Sequence, residues 1–152
     1  VVLDTHEQAS VNFQAALTIS NNLTVTSGIM DTLGATVDVT GDMSVAAAGS
    51  VSGTGLITAS GDVLNDGTWE DGNLTMDGSS SPSLRGTFAG SSAVTITGGA
   101  AVTLSGTTQM LSLTLAASSA SSLNTSAASS YALTINGSFV NNSGCSFVAH
   151  AS

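Results

Sequence analysis

Leu17-Thr18-Ile19-Ser20-Asn21-Asn22-Leu23-Thr24-Val25-Thr26-Ser27-Gly28 alternates apolar and hydroxyl side chains at period two, pauses at an Asn pair and stops at a glycine. Period two puts successive side chains on opposite sides of a strand, so Leu17, Ile19, Leu23 and Val25 form one apolar stripe and the hydroxyls form the other. Gly28 ends the run where a positive φ costs least. The pattern recurs at Thr36-Val37-Asp38-Val39-Thr40, Leu74-Thr75-Met76-Asp77, Val94-Thr95-Ile96-Thr97, Val102-Thr103-Leu104-Ser105, Leu113-Thr114-Leu115 and Leu133-Thr134-Ile135. No helical period interrupts it.

Short strands with small turns build sandwiches, barrels or solenoids, and residue size selects among them. One Trp, one Tyr and four Phe in 152 residues leave few side chains wide enough to fill the space between two packed sheets. Lone glycines follow the runs at Gly41, Gly61, Gly67, Gly78 and Gly106, and the small corners Ala46-Ala47-Ala48 and Ala116-Ala117-Ser118-Ser119 suit tight bends. The sequence therefore predicts an all-β chain, a right-handed parallel β-helix (β-solenoid) with short strands and Gly/Asn turns.

Internal similarity supports a repeat. Leu17 to Gly28 resembles Val94 to Gly106, and Gly61-Asp62-Val63-Leu64-Asn65-Asp66-Gly67-Thr68-Trp69 resembles Gly137-Ser138-Phe139-Val140-Asn141-Asn142-Ser143-Gly144-Cys145-Ser146-Phe147. Their offsets agree closely and suggest two stacked copies, about 17–92 and 93–152, within a solenoid over 17–152. Residues 1–16 read separately. Asp4 with Glu7 three positions on resembles a capping box, and Gln8 to Ala16 holds helix formers, so this segment is expected to be either a cap helix over the first coil or an extended arm that pairs with a neighbouring subunit.

The short Leu-Thr-Val/Ile runs followed by Asn65-Asp66-Gly67-Thr68 or Asn141-Asn142-Ser143-Gly144 and then an aromatic resemble the repeat regions of large secreted surface proteins of Bacteroidota, exported by type IX secretion. The likeness rests on Gly61 to Trp69, Asn73 to Gly78, Val94 to Gly106 and Asn136 to Phe147. More loosely, these stretches are similar to autotransporter adhesin passengers. The resemblance implies an extracellular or cell-surface β-helical stalk, filament or adhesin. The opening Val1-Val2-Leu3-Asp4 suits a processed mature protein or a fragment.

Charge narrows the partners. Ten acids face a single Arg85 and no lysine, for a formal net charge of −9, so neither the counterion release that drives nucleic-acid binding nor a basic patch for anionic lipid is available. No apolar run reaches the roughly 20 residues of a membrane-spanning helix, and membrane insertion is not expected. Every acid lies between Asp4 and Asp77. The second half is almost uncharged, which suggests a surface covered by copies of the same chain, head-to-tail or lateral.

Catalytic chemistry is poorly represented, and no enzyme activity is expected. Asp62, Asp66, Glu70 and Asp71 cluster in sequence but sit around glycine turns, as solvated turn residues do. His6 and His150 lie near opposite ends, outside any nucleophile motif, and Cys145 is alone, so no intrachain disulfide or cysteine-based metal cluster can form. No catalytic, metal-binding or cofactor-binding residue is assigned, and no cofactor is expected. Asp31-Thr32-Leu33 resembles the O-glycosylation acceptor of Bacteroidota, which makes Thr32 a candidate modification site. Asn22, Asn73, Asn124, Asn136 and Asn141 begin Asn-x-Ser/Thr triplets.

These readings favour an extracellular structural protein, a self-assembling filament or surface stalk subunit. An adhesin or module binding surface glycans is the alternative, and would require exposed aromatics or acids on one face; Trp69, which itself reads as a corner packing residue, and its acidic neighbours are the candidates. An ice-binding solenoid ranks third, since most runs break the outward Thr-x-Thr pattern.

Overall fold

A computed structural model of the chain describes residues 1–5, 9–116, 120–126 and 129–150, apart from the side chain of Ser91. Its strands are β1 (Val2–Asp4), β2 (Ser10–Asn12), β3 (Leu17–Ile19), β4 (Leu23–Asp31), β5 (Val37–Val39), β6 (Met43–Ser52), β7 (Leu56–Ala59) and β8 (Val63–Asn65). They continue as β9 (Thr68–Trp69), β10 (Asn73–Met76), β11 (Ser83–Ile96), β12 (Ala101–Leu115), β13 (Ser122–Asn124), β14 (Leu133–Ile135), β15 (Phe139–Asn141) and β16 (Ser146–Val148). Every pairing is parallel.

The pairings resolve into three ladders, which are the three faces of a solenoid. On the first face Leu17, Val37, Ile57, Leu74, Val94, Leu113 and Phe139 stand in register. On the second, Leu23, Met43, Val63, Leu84 and Leu104 do so, with Val102, Leu123 and Phe147 continuing the stack. The third carries Val11, Met30, Val51 and Trp69, then Phe88, Met110 and Ile135. Between Trp69 and Phe88 the contact is made by the rings, edge to face with centroids 5.1 Å apart. One coil therefore takes about 20 residues, and about seven coils are stacked.

Alternation explains the packing. β4 reads buried, half-buried, buried from Leu23 to Val25, β5 and β8 repeat that rhythm, and β13 alternates in the opposite phase around buried Leu123. Each buried Leu, Ile, Val or Met contributes about 1.5–3 kcal/mol, and stacking like residues above one another makes one continuous apolar core. Ala46 to Ala48 fall at the corner between the second and third faces, within β6. Ala117 to Ser119, of the other small corner, lie outside the described residues.

The acids near glycine turns take part in stacking. The backbone N–H of Asp42 donates to Asn22 Oδ1 at 3.0 Å, that of Asp62 to Asp42 Oδ1 at 3.0 Å and that of Ser83 to Asp62 Oδ1 at 2.7 Å. Each side chain thus caps the next coil at the same corner, as short Asn and Asp side chains do when they bond backbone amides.

Two sequence expectations meet a different structure. Gln8 to Ala16 forms no helix among its described residues: Ser10–Asn12 is a strand parallel to β4. Val11 sits over Met30 at strand spacing, and the open edge of β4 offers its backbone partners that a helix would leave unpaired. The segment is an arm, but one that pairs within its own chain, since β1 also lies on β4. The first internal match is structural, as Leu17 and Val94 share a ladder four rungs apart; in the second, Val63 and Phe139 fall on different faces.

Candidate functional surfaces

The acids do not assemble into a site. Asp66 pairs with Arg85 at 2.5 Å on the surface, Asp62 caps the coil above it and Glu70 is exposed. Among the described residues no three His, Cys, Asp or Glu side chains are placed to hold a metal ion. Cys145 is half-buried with Sγ 3.2 Å from the Ala116 carbonyl oxygen, while His6 lies outside the described residues.

Trp69 is 1% exposed and its Nε1–H donates to the Gly72 carbonyl at 3.2 Å. It is core, so the aromatic on which a glycan-stacking platform would have rested faces inward. Thr32 is also fully buried. Its hydroxyl donates to the Ser52 carbonyl at 3.2 Å and accepts the Gly55 N–H at 3.0 Å. A sugar could reach that oxygen only while the turn is open. Thr32→Val keeps the shape but strands the Gly55 N–H, and is expected to cost about 1–3 kcal/mol, read as a lowered urea midpoint with an unchanged slope.

No family model, curated protein or solved structure matches this chain. Its surfaces must be read directly.

Two remain. The first is the outer side of the first face, where Thr58, Thr75, Thr95 and Thr114 occupy one column on consecutive rungs. Asp38 interrupts the column below them and Val140 follows above. In the neighbouring column Ser60 Oγ–H donates to Asp77 at 2.9 Å.

The second is the pair of solenoid ends. Among the described residues β1 and β2 pair only with β4, and β3 only with β5, so three strand edges are free at one end. β14 and β15 pair only with β12, and β16 only with β13, which leaves three at the other. Val1, Val2 and Leu17 at the first end, and Phe139, Val140 and Val148 at the second, are six of the nine large apolar side chains that are exposed among the described residues. At the second end the lumen opens as a cavity of about 460 Å³ lined by Tyr131, Leu133, Ile135, Phe147 and His150, among others. Period-two reading placed Leu17, Leu133 and Ile135 on strands but could not show which strands lie at the edge of a stack, since that depends on the register of the whole chain.

Proposed function

We infer that the chain is a structural, non-catalytic segment of an extracellular filament or surface stalk that associates with copies of itself. The observation that carries this reading is the stack of about seven parallel coils around one continuous apolar core, whose second half is nearly uncharged. A surface with so little charge does little to hold copies apart. Support also comes from the sequence, whose resemblance to secreted surface repeats implies a rod outside the cell. Negative-stain electron microscopy of the purified chain is expected to show rods of uniform width and varied length; discrete single particles or shapeless aggregates would overturn the reading.

A second reading, binding to ice, is favoured by the four consecutive threonines on the first face. It ranks lower because Asp38 and Asp77 interrupt the hydroxyl columns. Absence of thermal hysteresis in the folded chain would remove it.

A further inference from the structure

We propose that Asn73 is an N-glycosylation site of this chain, its side-chain amide nitrogen taking a sugar on export. The proposal rests on the extracellular reading above and adds to it a covalent modification at a named residue.

Five Asn-x-Ser/Thr triplets are present in the sequence, and a sugar on any of them has to leave the folded coil intact. The chemistry sets three conditions. The side-chain nitrogen must be free of hydrogen bonds that hold the fold. It must be exposed. The hydroxyl two residues on, which is part of the acceptor motif, must be presented with it, and residues i and i+2 of a strand share a side.

Asn73-Leu74-Thr75 meets all three. It opens β10, in the middle of the stack, where Asn73 is exposed, Leu74 is buried and Thr75 is half-buried on the outer side. Asn73 Oδ1 accepts the Ala93 N–H at 3.2 Å, while Nδ2 has no hydrogen-bond partner among the described residues. The amide oxygen keeps its lone pairs when the nitrogen is substituted, so the tie to the next coil survives the modification.

Each of the other triplets fails a condition. At Asn22 the nitrogen donates to Asp42 Oδ2 at 3.3 Å, and Oδ1 caps the next coil. Asn124 is half-buried, its Oδ1 accepts the Ser126 N–H at 2.8 Å, and Thr125 between them is buried. Asn136 follows the third-face strand β14 and Ser138 precedes the first-face strand β15, so the two stand on either side of a corner. Asn141 shares the register position of Leu115, which points into the core.

The transfer requires a sugar activated as a glycosyl pyrophosphate. Asn73 Nδ2 bonds to the anomeric carbon, the bond from that carbon to the pyrophosphate oxygen breaks, and the pyrophosphate leaves as the anion. One amide proton passes to a base of the transferase, and nothing is oxidised or reduced.

Glycopeptide mapping of the chain recovered from the cells that make it, and from their medium, tests the assignment. The expected result is a sugar on the peptide carrying residue 73, lost in Asn73→Gln and in Thr75→Val and retained in Thr75→Ser. Circular dichroism checks that each variant folds; Thr75→Val keeps Asn73 and its bond from Ala93, and carries the test should Asn73→Gln unfold. A chain recovered outside the cell with Asn73 bare would overturn the site and leave the extracellular reading standing. Sugar that persists in folded Thr75→Val would overturn it too. A chain confined to the cell interior would overturn the extracellular reading and the proposal with it.

Discussion

Replacing Trp69 with Ala is expected to destabilise the chain by about 3–5 kcal/mol. Trp69 is the largest fully buried side chain among the described residues, and it bridges the place on the third face where strand pairing gives way to the ring contact with Phe88. Truncation would remove that edge-to-face pair, open a void between the third and fourth coils and leave the Gly72 carbonyl without the indole donor. Solenoid stability is approximately a sum of coil and nearest-neighbour terms, so the damage should be local before it is global. Hydrogen exchange is expected to show lost protection around Val51 and Phe88 first, and urea unfolding a lower midpoint. Uniform loss across all coils would mean that the stack unfolds as one unit.

Gly90→Ala should also be severe, and Gly144→Ala mild, although both glycines have a left-handed backbone at φ 69° and 84°. That backbone alone costs a non-glycine residue about 1–2 kcal/mol. At Gly90 a Cβ would fall 1.8 Å from the Glu70 carbonyl oxygen, a backbone atom of the coil beneath, whereas at Gly144 it meets nothing within 4 Å. Relieving the clash requires two coils to separate, which adds about 1–3 kcal/mol of overpacking. Thermal melts of the two variants side by side check this; equal losses would show that backbone strain alone accounts for both.

The strands and their inward stripes were legible because alternation is a local signal that the parallel ladders preserve. The coil length was also written in the sequence, in Asn21-Asn22-Leu23, Gly41-Asp42-Met43 and Gly61-Asp62-Val63 at intervals of 20, but comparison of longer stretches favoured a four-coil offset over the single coil. Trp69 read as a corner packing residue, and it is buried; that Phe88 is the ring it meets depends on which coil lies above it, and period two cannot supply that. Thr32 carries a modification-like triplet in a turn, and its hydroxyl is consumed by Ser52 and Gly55, about 20 residues away. The stretch Gln8 to Ala16 includes helix formers, but Ser10-Val11-Asn12 at its centre has low helix propensity and pairs with the edge of β4 instead.

The central claim is the proposal that this solenoid, with its nearly uncharged second half, associates with copies of itself. Sedimentation velocity of the folded 152-residue chain across a wide dilution series tests it most directly. The expected result is a concentration-dependent ladder of species at whole multiples of the monomer mass, lengthening as concentration rises. A single monomeric species at every concentration would contradict it.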